Sequence, residues 1–254
     1  MSKFLVMAQN STDFLYFAFM KRPITYLLTA LFLILRVAGF SQNIFPPITN
    51  YTSADYGSEF APENLGICQD SKGIMYFGNT GNILTFDGSR WGAIPVVPTR
   101  VCHALHYSSE GTIFVGVMGD FGYLKPNIKG QLSYHSLVDS IVRSETPFNE
   151  VWSIYENDEG VFFHSEEQIF LYKENKVHLL DMPSTAHTVF EVDGKIIARM
   201  RGIGLMTWEN NQWNKVQGSD LFELFGVFGI VKGHEKSTQS IVTQEVGLYQ
   251  WNTK

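Results

Sequence analysis

The amino-acid sequence predicts an all-β fold, a β-propeller with about five blades arranged as an incomplete ring. Three observations predict it: an internal repeat with a period near forty residues, three or four short glycine-punctuated strands within each copy, and no helical periodicity of useful length. With 44% hydrophobic and 14% aromatic residues in 254, there is enough apolar surface for one large domain or two small ones, which excludes a disordered chain.

The first copy, Asn64 to Trp91, reads NLGICQDSKGIMYFGNTGNILTFDGSRW. A strand through Leu65 and Ile67 reaches a polar turn at Gly73. A strand through Ile74, Met75, Tyr76 and Phe77 follows, then Gly78 and Gly81, and a strand through Ile83, Leu84 and Phe86 stopped by Asp87-Gly88. Gly73, Gly78 and Gly88 are read as turn residues, since glycine reaches positive φ at little cost, and Tyr76, Phe77 and Phe86 as filling between blades. The second copy, Val101 to Leu124, has Gly111 in the place of Gly73 and Gly116 in the place of Gly78. The third, Val151 to Tyr172, turns at Gly160. The fourth, His187 to Trp208, turns at Asp193-Gly194 and is followed by a polar Glu209-Asn210-Asn211 tip before Trp213. A fifth and weaker copy runs from Phe225 to Trp251. The closing aromatics Phe86, Tyr123, Tyr172, Trp208 and Trp251 are spaced by 37, 49, 36 and 43 residues. A two-sheet sandwich, the rival all-β arrangement, has strands about 8 to 12 residues apart with no longer period above them.

Three segments precede or carry these copies: 1–41, 42–63 and 64–254. In the first, Lys21-Arg22 is followed by an apolar run from Ile24 to Leu35, and Gly39 and Ser41 place small residues before a cut at Gln42. This is the pattern of a secretory signal, and the run is shorter than the ~20 residues that span a bilayer. An uncleaved anchor is the alternative, opposed by Arg36; Met20 would itself open a conventional signal. The second segment is a lead-in able to supply a ring-closing strand, and Pro46-Pro47 suits an edge position. Removal of residues 1–41 leaves 15 basic and 24 acidic residues, a net charge of −9. An exported acidic domain is expected, with no basic surface for nucleic acid. Either five blades close or the ring continues in a longer protein; the second is preferred.

Candidate chemistry is sparse. Cys68 and Cys102 are not equivalent in the repeats and are read as small buried hydrophobes, with a disulfide as the alternative in an oxidising compartment. Strict alternation puts Cys102 and His106 on one side of a strand and His103 on the other, so no zinc site is expected there. Asp70-Ser71-Lys72-Gly73 and Asn157-Asp158-Glu159-Gly160 lack the alternating oxygen ligands of a calcium loop and are read as turns. Glu166 and Glu167 point apart, and Gly233 to Thr238 lacks the spacing of a phosphate loop. Trp152, Trp208 and Trp213 are candidates to stack on a sugar ring, with core filling as the plainer reading. No catalytic residue, cofactor or metal ligand is assigned.

The run from Gln69 to Asn79, with Gly81, Leu84, Phe86-Asp87-Gly88 and Trp91, resembles the two-component-regulator propeller repeat of bacterial extracytoplasmic sensors, as does Gly119-Asp120-Phe121-Gly122-Tyr123-Leu124 in the second copy. The resemblance covers about Phe45 to Trp251 and blurs in the fifth copy. It implies a signal peptide, one or two propellers, a triple-tyrosine β-sandwich, a transmembrane helix and a cytoplasmic output: a histidine kinase, a helix-turn-helix regulator or a nucleotide cyclase. It also implies a periplasmic location, a parent anchored in the inner membrane and a homodimer. None of the downstream segments lies in these residues, and no binding residue is carried by the motif. The expectation is a non-catalytic sensing domain with a small-molecule or oligosaccharide ligand. The alternatives are a secreted propeller enzyme acting on polysaccharide, a lyase or glycosidase, and a secreted adhesion module.

Overall fold

In the computed structural model the described residues are 26–27, 31–32, 48–96, 98–138, 148–233 and 238–252. The chain divides into two units, Met1–Asn50 and Tyr51–Lys254. In the first, residues 26–27 and 31–32 are helical; the expected cleavage site, and most of the expected signal, lie outside the described residues. No helix among the described residues is long and apolar enough to cross a membrane.

The second unit opens with one helical turn, α1 (Ser53–Tyr56), held by the Asp55 carboxylate, which accepts from the Thr52 amide at 2.6 Å and the Thr52 hydroxyl at 2.9 Å. Of the expected ring-closing segment, residues 42–47 lie outside the described residues, and α1 is the regular element in the remainder.

Among the described residues nineteen strands then form five antiparallel sheets in sequence order. The first sheet holds β1 (Gly66–Gln69), β2 (Met75–Gly78), β3 (Asn82–Phe86) and β4 (Trp91–Pro95). The second holds β5 (Cys102–Tyr107), β6 (Ile113–Val117), β7 (Asp120–Pro126) and β8 (Leu132–Ser136). The third holds β9 (Ser153–Asn157), β10 (Gly160–His164), β11 (Ile169–Lys173) and β12 (Lys176–Leu180). The fourth holds β13 (Ala186–Val192), β14 (Lys195–Met200), β15 (Gly204–Glu209) and β16 (Gln212–Lys215). The fifth has three strands: β17 (Val227–Lys232), β18 (Thr238–Thr243) and β19 (Leu248–Asn252). The first strands of successive sheets pack side by side, so β1, β5, β9, β13 and β17 line a common axis and the fourth strands lie outermost. Separate apolar clusters join the first sheet to the second, the second to the third, the third to the fourth and the fourth to the fifth. Among the described residues no cluster joins the fifth to the first, and the sheets form an open arc.

Each cluster buries the aromatic and aliphatic side chains that one twisted sheet cannot cover alone. Phe121 of the second sheet stacks on Phe163 of the third, ring centroids 4.4 Å apart, and both are fully buried. Trp208 is buried against the third sheet and its Nε1 donates to Glu159 at 3.2 Å; Trp251 packs on the fourth sheet. The turn glycines Gly73, Gly88, Gly111, Gly160 and Gly194 have positive φ, as the repeat requires.

Two expectations are corrected. Gly78 and Gly116 are strand residues, not turns: a Cβ on Gly78 would stand 2.7 Å from the Cys102 carbonyl oxygen and one on Gly116 2.6 Å from Val151 Cγ1, so glycine is needed for close approach of the next inner strand. Of the residues expected to fill between blades, Tyr76 does so, whereas Phe77 and Phe86 lie with Trp91 on the opposite face of the first sheet. There Tyr51 reaches Phe86 (5.2 Å) and Tyr56 reaches Trp91 (5.3 Å), so the lead-in covers the face with no neighbouring sheet among the described residues. Pairing decides the sides, since strand neighbours alternate and Tyr76 takes the side toward the second sheet.

Candidate functional site

Three of the inner strands carry an extra residue near their start. In β5, β13 and β17 the register skips a residue between Cys102 and Ala104, Ala186 and Thr188, and Val227 and Gly229, which leaves His103, His187 and Phe228 looped out. The first and third sheets repeat the arrangement. The Leu65 amide donates to the Gly78 carbonyl at 2.9 Å although Gly66 is Gly78's register partner, and the Trp152 amide donates to the His164 carbonyl at 2.8 Å although Ser153 pairs with His164. Leu65, His103, Trp152, His187 and Phe228 therefore occupy one repeat-equivalent position in the five inner strands. A bulge re-aims a side chain away from the pleat, and it does so for His103, His187 and Phe228.

The bulge also corrects the expected facing of Cys102 and His106. Cys102 packs toward the first sheet, while His106 Nε2 lies 3.2 Å from Glu156 of the third, because the extra residue at 103 shifts the alternation by one. Both cysteines are free thiols, with burial pushing each up to about 12. Among the described residues no three His, Cys, Asp or Glu side chains gather as a metal site.

Leu65, Trp152 and Phe228 are 52%, 51% and 55% exposed, a large apolar surface for equivalent positions on one rim. The imidazoles lie between them: His103 is 4.7 Å from the Trp152 ring, and His187 meets Phe228 edge-on at 5.5 Å and 85°. Burial lowers the pKa of His103 against the opposing charge of Glu150, and burial with the charges of Arg199 and Arg201 lowers that of His187. Both rings are neutral at pH 7. His187 Nδ1 is buried without a hydrogen-bond partner among the described residues.

Polar staples hold the rim from behind. The buried His164 accepts from the Ser153 hydroxyl at Nδ1 (3.0 Å) and donates from Nε2 to the Ala186 carbonyl (2.9 Å), a fixed tautomer whose burial pushes its pKa down to about 4. Arg199, in the equivalent place on β14, donates to the carbonyls of Phe222 (3.0 Å) and Glu223 (3.1 Å). Asn79 Nδ2 donates to the carbonyls of Ala61 (2.8 Å) and Glu63 (2.9 Å) in the lead-in. Ser153 and His164 make a serine–histidine pair whose ring is buried and whose Nε2 bond joins the third sheet to the fourth.

The other candidates lie elsewhere. Asp70 Oδ1 accepts from the amides of Lys72 and Ile74, and Asn157 Oδ1 from that of Glu159, so both suspected calcium loops are backbone turns. Asp87 does the same for Ser89 and Arg90. Glu166 pairs with Arg201 (2.5 Å) and Glu167 accepts from Asn149 (3.0 Å). Residues 234–237 of the suspected phosphate loop lie outside the described residues; Gly233 and Thr238 close a hairpin. Of the three sugar-stacking candidates, Trp208 is core, Trp213 is half-buried against it at 5.2 Å, and Trp152 is half-exposed just before β9.

Neither a known protein-family profile nor a curated protein sequence matches the chain. Solved structures do. The extracellular domain of a putative one component system from B. thetaiotaomicron superimposes with TM-score 0.58 at 11% identity, over 82% of this chain and 28% of that one. A catalytically inactive virginiamycin B lyase from Staphylococcus aureus with quinupristin gives 0.54 at 14% identity, over 80% and 72%. YCF48 bound to D1 peptide gives 0.56 at 12% identity, over 81% and 67%. The chain is a β-propeller. Its sheets are blades, the five residues open successive inner strands, and the chain spans about 28% of the length of the sensor domain it matches. This shared position was missed in the sequence, although a large residue followed by a small one recurs as Leu65-Gly66, His103-Ala104, Trp152-Ser153, His187-Thr188 and Phe228-Gly229.

Proposed function

We propose that this chain is the extracytoplasmic ligand-sensing propeller of a bacterial signal-transduction or transcription-regulatory protein, non-catalytic in this stretch, and that it recognises a glycan at the channel mouth. The observation that carries the reading is the run of five large side chains at repeat-equivalent positions along the arc of inner strands, three of them looped out by bulges, on a rigid scaffold. The repeat resemblance, the secretory pattern before Gln42 and the likeness to an extracellular sensor-system domain support it. A downstream sandwich, a membrane helix and an output domain belong to the same reading, as does a homodimer. Ligand binding would shift the parent between arrangements by its differential affinity for them.

A second reading, a secreted lyase or glycosidase, is supported by two neutral imidazoles at the mouth, suited to proton transfer, and by the likeness to virginiamycin B lyase. Incubating the exported chain with an oligosaccharide library, and measuring both binding by calorimetry and products by chromatography, separates them. Saturable binding with intact ligand is expected; accumulating cleavage products would move the assignment to the enzyme.

A further inference from the structure

We infer that the chain associates head to tail with a second copy of itself, the outward face of its fifth blade packing on the first-blade face of that copy. The inference concerns the two ends of the arc and stands apart from the ligand reading above. At each joint between blades one position of the third strand faces the next blade. Ile83, Phe121, Ile169 and Leu205 share this register position, opposite Gly78, Gly116, His164 and Arg199. Each of the four lies in the apolar cluster shared with the following blade, and all are fully buried. The fifth member is Leu248, opposite Val242, and it is 70% exposed. Val242 itself and Val231, on the same face of the sheet, are exposed with it.

The receiving side repeats as regularly. Leu105, Ile154, Val189 and Ile230 each stand two residues beyond the shared start position of their inner strand, and each packs in the cluster shared with the preceding blade. Ile67 is their first-blade equivalent and is 60% exposed. Tyr51 and Tyr56 cover this face around Phe86 and Trp91 and leave Ile67, on the innermost strand, open. Among the described residues every other outgoing face is met by a receiving face, and the two left over are the outgoing face of blade five and the receiving face of blade one. No cluster joins these two within one chain, so a second copy supplies the match, by the packing that already joins the blades. The contact joins unlike faces, which leaves each copy of a pair one face free.

Sedimentation velocity of the exported chain over about 1 to 100 μM tests the contact. It is run beside Leu248→Asp and Ile67→Asp, exposed positions where a charge leaves the monomer folded, with circular dichroism as the check and Leu248→Gln and Ile67→Gln as substitutes should an aspartate variant not match the parent spectrum. The unaltered chain should gain mass with concentration. Each variant alone should associate about tenfold more weakly or less, since the joint would bury an unpaired charge. Mixing the two variants gives the distinguishing result: the intact first blade of Leu248→Asp still receives the intact fifth blade of Ile67→Asp, so the mixture should form one-to-one pairs and grow no further. A chain that stays monomeric over the whole range, variants that associate as the unaltered chain does, or a mixture that stays monomeric would overturn the inference. Each of these outcomes leaves the ligand reading standing, since that is decided by the saccharide titration.

Discussion

His164 donates from Nε2 to the Ala186 carbonyl at 2.9 Å, tying the second strand of blade three to the first strand of blade four. The bond that Nδ1 accepts from the Ser153 hydroxyl requires the neutral ring, and burial holds the pKa near 4, against about 6.5 in an unfolded chain. Between these values the unfolded state binds more protons than the folded one. His164 therefore favours the fold fully above about pH 6.5, and that contribution, about 3 kcal/mol, is lost as pH falls toward 4. Urea unfolding at pH 7.5 and pH 4.5 should show the loss, and His164→Gln should shrink the difference between the two; an unchanged difference would remove His164 as its source.

Gly78 predicts a packing defect rather than a turn defect. A methyl there meets the Cys102 backbone carbonyl at 2.7 Å, and backbone yields poorly. Gly78→Ala should cost about 1 to 3 kcal/mol in chemical denaturation. Gly88→Ala, where nothing lies within 4 Å of the added carbon, should cost about 1 to 2 kcal/mol, from its positive φ alone.

Phe163 stacks on Phe121 in full burial between blades two and three. Phe163→Ala should lower stability by about 3 to 5 kcal/mol, measured by urea unfolding. Trp152→Ala, at an exposed rim position, should change it by about 0.5 kcal/mol at most.

Cys68 and Cys102 should be unreactive in the folded chain, since burial holds both thiols far above pH 8. Iodoacetamide at pH 8 followed by intact-mass measurement should show no adduct before denaturant is added and two after; early labelling would contradict the enclosed placement.

The repeat was legible because it is local. Gly73, Gly111 and Gly194 mark hairpin turns whose positive φ is a demand of the backbone at that residue, visible wherever the chain is read. Trp208 and Trp251 close copies of the same sentence and pack against neighbouring blades as that sentence implies. Phe77 and Phe86 were assigned to the wrong face because nothing in a run of apolar residues says which side of the sheet has a neighbour and which is covered by Tyr51 and Tyr56.

The sequence by itself determined the all-β architecture, the period and the turn chemistry, since these follow from glycine, aspartate and apolar alternation within a few residues of each other. Only the tertiary structure decided which residues are looped out at the start of the inner strands. Whether His103, Trp152 or His187 sits in the pleat or is looped out of it depends on which residue of the next strand it opposes, and that pairing is made across the sheet, where no local pattern records it.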